Sequence, residues 1–322
     1  MNIKILYGDC LQTLSSIKEQ SVNTCVTSPP YWGLRDYGED NQLGQEETPE
    51  KFVENLVNVF REVHRVLKDD GTVWLNLGDT YNNKIEKLKS KDLVGIPWKV
   101  AFALQADGWY LRQDIIWHKP NPMPESVKDR CTKSHEYIFL LSKSPKYYYD
   151  NEAIKEEIQD ESAKRLLRGV SDNHKNSFGA PGQTPHTMNK PRKNVRKQFT
   201  SDMGGSETSF KNYSGYKKED GTLMIGEKRN KRSVWTVTTK PYSEAHFATY
   251  PHDLIIPCIL AGCPEGGTVL DPFGGSGTTA QVASQLNRNA ILCELNPEYV
   301  ELAKKRLQES LGMFMQLEEI KL

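Results

Sequence analysis

A chain of 322 residues is long enough for one large α/β domain or two small ones around a sizeable core. With 37% hydrophobic and 26% charged residues, and 42 Lys and Arg balancing 42 Asp and Glu, it is neither disordered by composition nor drawn as a whole toward polyanions. No stretch approaches the roughly 18 consecutive apolar residues of a membrane span, and the start lacks a signal-peptide core, so a cytoplasmic protein is expected. Six cysteines, Cys10, Cys25, Cys131, Cys258, Cys263 and Cys293, form no CxxC pair and have no His cluster beside them. That speaks against a zinc site or a disulfide framework and predicts buried free thiols.

In chain order, Ile3–Tyr7 is the first of seven short runs rich in β-branched residues; the others are Val22–Thr27, Thr72–Leu77, Leu111–Trp117, Tyr137–Leu141, Thr268–Leu270 and Ala290–Cys293. Most are apolar on both faces, as strands of a parallel sheet covered on both sides are. Helical patterns lie between them. The fullest is Thr48–Leu67, with Thr48 as N-cap, Pro49 at the first helical position, an apolar stripe from Phe52 to Leu67 and Gly71 shortly past the end. Leu93–Ala106, Thr278–Leu286 and Pro297–Leu311 follow the same period. This alternation predicts an α/β fold with a doubly wound sheet.

Directly after the second run stands Thr27-Ser28-Pro29-Pro30-Tyr31-Trp32-Gly33. Two prolines fix the backbone and remove two N–H donors, so the loop presents acceptors, the Ser28 hydroxyl and the carbonyls, beside an aromatic face. Such a surface suits a planar amine. An exocyclic amino group on a nucleobase is a poor nucleophile because its lone pair is delocalised into the ring. Acceptors that hold its two N–H bonds, with Tyr31 stacked on the ring, favour the more pyramidal, reactive nitrogen. Read alone, the tetrad is equally that of a rigid turn.

Between about residues 151 and 232 strand periodicity disappears and Ser, Asn, Lys, Gly and Thr dominate. From Ser162 to Lys218 twelve Lys and Arg face three acids, a local net charge of +9 that the rest of the chain balances with −9. Positive charge gathered in a polar segment flecked with Phe178, Phe199, Phe210, Tyr213 and Tyr216 predicts contact with a polyanion; a solvated disordered loop is the alternative.

Farther on, Val269-Leu270-Asp271-Pro272-Phe273-Gly274-Gly275-Ser276-Gly277-Thr278-Thr279 places an acid at a strand end, then a glycine-rich turn, then a helix start. Glycines let a ligand approach the backbone, and a helix N-terminus offers N–H groups to an anion. No Gly-Lys-Ser/Thr is present, so nucleoside triphosphate hydrolysis is disfavoured. What remains is a cofactor with a small carboxylate and a ribose. The next strand ends in Glu294, 23 residues after Asp271, near the spacing at which an acid reaches ribose hydroxyls. Gly8-Asp9 after the first strand is read the same way, and a tight turn is the plainer reading of both.

Taken together, the two motifs resemble the S-adenosylmethionine-dependent amino-methyltransferases of DNA. The order is that of the circularly permuted β class, in which the Ser/Asp/Asn-Pro-Pro-Tyr loop precedes the target-recognition insert and the cofactor glycine loop follows it. The resemblance covers nearly the whole chain outside the insert. It implies a seven-stranded, doubly wound Rossmann-like sheet in the order 3-2-1-4-5-7-6, the first five strands of the chain supplying positions 3 to 7 and the last two positions 1 and 2. It also implies a catalytic half at residues 1–150, a polar basic target-recognition insert at 151–232 and a cofactor-binding half at 233–322. Ser28, Pro29, Pro30 and Tyr31 are then the catalytic loop. Asn76 and Asp79, from the neighbouring strand end, reach the base edge, unless they cap the following turn. Asp9, Asp271, Phe273, Gly274, Gly275, Ser276, Gly277, Thr278, Thr279 and Glu294 are implied as contacts of S-adenosylmethionine. The stretch His246-Phe247-Ala248-Thr249-Tyr250-Pro251 is similar to the segment that closes over the methionine end, which adds His246 and Phe247. Asp114–Pro120 and His135-Glu136-Tyr137 are similar to the later strands of the catalytic domain. Lys190, Arg192, Lys193, Arg196 and Lys197 are expected to contact DNA.

In this family Ser before Pro-Pro is typical of cytosine N4 methylation and Asp or Asn of adenine N6. Ser28 therefore favours the cytosine N4 amine, reached by flipping the base out of duplex DNA and methylated by direct attack, as in a restriction–modification system. Adenine N6 with the same mechanism is the alternative; a non-catalytic DNA-binding protein that keeps the fold is a more distant one. Cytosine C5 chemistry is rejected, because Pro257-Cys258 lies in the apolar run Leu254–Leu260 with no Glu-Asn-Val partner. The family admits a homodimer and a cognate restriction endonuclease acting separately. No metal is expected, since methyl transfer from a sulfonium calls for no Lewis acid.

Overall fold

The computed structural model describes residues 1–34, 38, 42–82, 88–157, 216–217, 223–224, 228–239, 250–311 and 316–321. The expected DNA contacts Lys190, Arg192, Lys193, Arg196 and Lys197, and the expected cofactor contacts His246 and Phe247, lie outside the described residues. The chain divides into two compact units, one of residues 1–154 with 232–322 and the other of residues 155–231.

In the larger unit the strands are β1 (Asn2–Tyr7), β2 (Val22–Thr27), β3 (Leu67–Leu77), β4 (Tyr110–His118) and β5 (His135–Ser142). In the smaller unit are β6 (Glu156–Glu157), β7 (Tyr216–Lys217), β8 (Leu223–Met224) and β9 (Lys228–Arg229). Back in the larger unit come β10 (Val234–Thr236), β11 (Thr268–Asp271), β12 (Asn289–Glu294) and β13 (Gln316–Lys321). Nine of them form one sheet in the order β10-β4-β5-β3-β2-β11-β12-β1-β13. Among these nine, β5 alone runs antiparallel to the rest. The seven expected strands stand in the expected order, and one edge strand is added at each side. The added β13, Gln316-Leu317-Glu318-Glu319-Ile320-Lys321, is mostly polar, with three charged residues, which keeps an open edge from recruiting another chain but hides it from an apolar pattern search.

Helices cover both faces. On one, α1 (Cys10–Ser15), α2 (Pro49–Val66) and α3 (Ile96–Ala106) bury Leu14, Phe52, Leu56, Phe60, Val63, Val100 and Leu104 against Cys25, Val73, Leu75, Phe139 and Leu141 of the sheet. On the other, α4 (His252–Gly262), α5 (Thr278–Gln285) and α6 (Pro297–Leu311) bury Leu254, Ile255, Ile259, Val282, Val300 and Leu307 against Ile3, Ile5, Val26, Trp74, Ile138 and Leu140. Successive residues of a strand point to opposite faces, so Cys25 and Val26 serve different cores and every residue of β2 is buried.

Helix α2 starts as its sequence dictates: Thr48 Oγ1 accepts the Lys51 N–H at 3.2 Å and Pro49 occupies the first turn. It ends one residue earlier than expected, at Val66, because Leu67 turns extended and opens β3 directly, five residues before the expected strand start at Thr72. Helix α3 begins at Ile96 rather than Leu93, since Leu93 pairs with Tyr81 in a β-bridge. The reading of all six cysteines as buried needs correction: Cys25, Cys258, Cys263 and Cys293 are buried, Cys10 is half-buried and Cys131 is exposed on a polar loop. Among the described residues of the smaller unit, β6 pairs with β9 and β7 with β8, both antiparallel, and Arg229 and Lys231 lie 3.5 and 3.7 Å from Glu156. No helix among the described residues is long and apolar enough to cross a membrane.

Candidate active site

Because β1, β2, β3, β4, β11 and β12 are parallel, their C-terminal ends lie along one edge of the sheet, where open α/β sheets bind ligands. Gly8-Asp9, Ser28–Tyr31, Gly78-Asp79, Lys119, Asp271–Gly277 and Glu294 all follow or form those ends, and the start of antiparallel β5, His135–Tyr137, meets them there.

After β2 the loop Ser28–Gly33 is held by its aromatic residues. Trp32 is buried and its indole N–H donates to the Glu46 carbonyl at 2.9 Å. The Tyr31 hydroxyl donates to Glu136 Oε2 at 2.7 Å and lies 3.2 Å from Asn76 Oδ1 and 3.4 Å from Ser28 Oγ. Asn76 Nδ2 donates to the same Glu136 oxygen at 3.2 Å and to the Tyr137 carbonyl at 3.1 Å. The Lys119 ammonium pairs with the other Glu136 oxygen and sits 4.3 Å from the centre of the Trp117 ring. A Cβ on Gly78 would lie 2.5 Å from the Tyr31 ring, so only glycine lets the ring rest there. Ser28, Asn76 and Glu136, from three different strand ends, thus converge around one phenol, Ser28 donating to it and the other two presenting acceptors.

Of the two candidates at the end of β3, Asn76 is in this cluster. Asp79 is turned to the backbone: its Oδ1 accepts the N–H groups of Thr80, Gly95 and Ile96 at 2.9 to 3.0 Å, capping α3 where Gly95 has no side chain to do so. Its carbonyl accepts from the Lys133 ammonium at 2.7 Å.

The glycine loop is built the opposite way, with its polar side chains turned inward. Asp271 is 1% exposed and its carboxylate takes four donors: Thr27 Oγ1 at 2.6 Å and the Phe273 N–H at 3.1 Å on Oδ1, Thr279 Oγ1 at 2.5 Å and the Tyr250 hydroxyl at 2.9 Å on Oδ2. Four donors fill the acceptor capacity of a carboxylate. Burial pushes its pKa up to about 6 against the pull of those hydrogen bonds. Ser276 and Thr278, buried, accept from the guanidinium of Arg306 at 2.9 Å each. That guanidinium, itself only 9% exposed, also donates to Gln281 Oε1 at 2.8 Å and lies 2.8 Å from His252 Nε2, tying α6, α5, α4 and the loop together. Gly275 and Gly277 take positive φ of 50° and 80°, and a Cβ on Gly277 would crowd Ala303 at 3.0 Å. Asp9 caps α1 through Oδ1, accepting from Leu11 and Gln12 at 2.9 and 3.2 Å.

The residues present fit S-adenosylmethionine. A Cβ on Gly275 would meet nothing nearer than 4.0 Å, so the loop leaves room for close approach of a ligand to its backbone. Glu294 accepts the Gly275 N–H on Oε2 at 2.7 Å and the Asn296 N–H on Oε1 at 2.9 Å, with the Leu295 N–H also acting on it. The carboxylate keeps acceptor capacity for a ribose hydroxyl. Burial pushes the Glu294 carboxyl up to about 7. Among the described residues no group of three or more His, Cys, Asp or Glu is placed to hold a metal ion.

Sequence reading missed Glu136 and Arg306. The signal for Glu136 was a charged residue opposite Trp117 at the end of an apolar antiparallel pair; for Arg306 it was an arginine on the buried side of α6.

A family model described as DNA methylase, for N6 and N4 methyltransferases, matches residues 22–305. The chain is 44% identical over 323 residues to the type II methyltransferase M.Cfr9I of Citrobacter freundii, covering 94% of this chain and 86% of that one. It is 41% identical over 326 residues to M.SmaI of Serratia marcescens, covering 94% and 90%. Among solved structures, the cytosine-N4-specific PvuII DNA methyltransferase aligns with a TM-score of 0.62 at 18% identity, over 95% of this chain and 87% of that one. TTHA0409 of Thermus thermophilus, complexed with S-adenosyl-L-methionine, aligns with a TM-score of 0.60 at 22% identity, over 99% and 98%. This chain belongs to the DNA methylase family: it is an N6/N4-type DNA methyltransferase of the type II restriction–modification class, and its cofactor is S-adenosylmethionine.

Proposed function

We propose that the enzyme methylates the exocyclic N4 amine of cytosine in duplex DNA. The observation that carries this reading is Ser28 itself, a hydroxyl before two prolines, facing the acceptors of Asn76 and Glu136 across the Tyr31 hydroxyl. A neutral hydroxyl and carbonyls hold an amine by its N–H bonds without protonating it. The PvuII enzyme, cytosine-N4-specific, shares the fold.

When bound, S-adenosylmethionine supplies an electrophilic methyl group. Ser28 and the Pro29 carbonyl orient the amine, and the Tyr31 ring, fixed on Gly78 and by Glu136, stacks on the base after it leaves the duplex. Asn76 stands at the base edge. Asp79 braces α3 beside it. Glu294 takes the ribose, the backbone of Phe273–Gly277 borders the methionine end with His246 and Phe247 closing over it, and Asp9, beyond Glu294 in the strand order, borders the adenine end. Asp271, Ser276, Thr278 and Thr279 act by holding that backbone in shape.

Residues 151–232 serve as the target-recognition insert, between a catalytic half at 1–150 and a cofactor-binding half at 233–322. Within it Lys190, Arg192, Lys193, Arg196 and Lys197 meet phosphates, so DNA binding weakens steeply with salt. Double-stranded DNA is the substrate and the cytoplasm the place of action. The family admits a separate restriction endonuclease of the same specificity and a homodimer.

The test is mass spectrometry of nucleosides from bacterial DNA incubated with the protein and methyl-labelled S-adenosylmethionine. Labelled N4-methylcytosine is expected. Labelled N6-methyladenine would keep the mechanism and overturn the reading of Ser28. No labelled base despite demonstrated cofactor binding would point to a target sequence absent from that DNA or to a non-DNA substrate, and failure to bind the cofactor would favour a DNA-binding protein without turnover.

A further inference from the structure

The loop of residues 119–134 joins β4 to β5 at the edge of the sheet where the candidate site lies. Its two ends are tied to residues of that edge: Lys119 pairs with Glu136 and its N–H donates to the Ser134 carbonyl at 2.8 Å, while the Lys133 ammonium donates to the Asp79 carbonyl at 2.7 Å. Its middle is braced. The Arg130 guanidinium lies 3.8 Å from the centre of the Tyr81 ring and donates to Glu125 Oε2 at 2.5 Å, and Lys91 pairs with Asp129 at 2.8 Å. Asn121 exchanges two hydrogen bonds with the backbone of Thr239, at 3.1 and 3.2 Å.

From this rigid base projects Pro122-Met123-Pro124. Two prolines fix φ on either side of a methionine that is 85% exposed, the most exposed large hydrophobic residue among those described. The braced loop thus holds an apolar side chain out in water at the sheet edge that carries Ser28–Tyr31. Around it the loop carries four basic residues, Lys119, Lys128, Arg130 and Lys133, against two acids, Glu125 and Asp129. That charge balance suits a polyanion surface with an apolar interior, which is what a base stack beneath its phosphates offers.

We propose that Met123 is the wedge that enters the duplex beside the target base and occupies the stacking space that base vacates. Apolar side chains, Met and Pro among them, unstack base steps in this way, and the polarisable thioether packs well on aromatic faces. The proposal rests on the reading that the target base is extruded. It assigns the loop tip to the opening of the duplex, and leaves the chemistry to Ser28–Tyr31 and target choice to other residues.

The test uses wild type, Met123→Ala and Met123→Leu on a duplex oligonucleotide containing the methylated site mapped in the labelled DNA. One version is fully paired, with the target cytosine opposite guanine and 2-aminopurine opposite thymine beside it; a second carries the target opposite an abasic site. On paired DNA Met123→Ala is expected to lose most of the fluorescence gain and about tenfold in kcat/KM; opposite the abasic site, where no partner base resists extrusion, the loss shrinks to less than about twofold. Met123→Leu retains the function. Equal loss on both duplexes, or no loss on paired DNA, would overturn the wedge. Should wild type itself show neither a fluorescence gain nor an advantage on the abasic duplex, extrusion would fail first and the wedge with it.

Discussion

Two loops, one after β2 and one after β11, leave neighbouring strands of one sheet and solve opposite problems. Ser28–Tyr31 has two prolines, few N–H groups, and side chains that meet residues from β3 and β5. Phe273–Gly277 has two glycines at positive φ and neighbouring side chains turned into the protein, toward Asp271 and Arg306. The first can present side-chain chemistry on a fixed backbone; the second can present backbone on fixed side chains. Between them runs one hydrogen bond, Thr27 Oγ1 to Asp271 at 2.6 Å, so the two are in register without sharing atoms. A change in the first loop should alter turnover and spare cofactor affinity, and a change beneath the second should do the reverse.

The largest expected effect tests the first half of that contrast. Ser28→Ala removes one oriented hydroxyl, and losses from such a group run to about 10²–10³ in kcat. Single-turnover methyl transfer should show it, with the cofactor Kd unchanged by calorimetry. Arg306→Met tests the second half. Deleting the buried guanidinium leaves Ser276, Thr278 and Gln281 without their donor, so urea unfolding should report about 3 kcal/mol less stability. Cofactor affinity should fall by more than DNA affinity does. Equal falls would mean that the loop is not what Arg306 supports.

The contrast also explains what the sequence made legible. Each loop is a contiguous string directly after an apolar run, so Ser28-Pro29-Pro30-Tyr31 and Asp271–Thr279 could be read locally, as could the seven main strands. The partners that hold them are not local. Glu136 is 105 residues from Tyr31, and Arg306 is 30 from Ser276 on a helix whose exposed faces look like any charged amphipathic helix. Side-chain direction was also invisible: Ser276, Thr278 and Thr279 read as ligand-facing because the motif is glycine-rich, yet their oxygens point to Arg306 and Asp271. Asp79 looked like a group for the base edge, whereas its Oδ1 caps α3, a helix start that depends on a left-handed Gly95.

A middle-sized effect comes from pH. Burial sets the carboxyls of Asp271 and Glu294 at about 6 and about 7, above the value near 4 of an unfolded chain. Between about pH 4 and 7 the folded protein therefore holds protons that the unfolded chain has released, and stability without cofactor should fall as pH rises through that window. Cofactor affinity should move the other way. In the proposed contact ribose hydroxyls donate to the carboxylate form of Glu294, so binding should release a proton below about pH 7 and affinity should drop about tenfold from pH 8 to pH 6. Melting curves without cofactor and calorimetry with it would show the two slopes of opposite sign, and Glu294→Gln should flatten the second. A flat affinity profile in wild type would remove Glu294 from the ribose site.

The smallest effect is the most discriminating, because it falls between the loops. Glu136→Gln keeps an oxygen for the Tyr31 hydroxyl and removes the charge that Lys119 pairs with. The exchange of a charged acceptor for a neutral one in a partly buried pair costs about 1 kcal/mol, so kcat should fall about fivefold. Since Glu136 touches the Ser28–Tyr31 loop through Tyr31 and β3 through Asn76, cofactor affinity should stay where it was. A cofactor Kd that shifted along with kcat would show the two loops acting as one body through the Thr27–Asp271 hydrogen bond. Thr27→Val, which deletes that bond, should then uncouple them again.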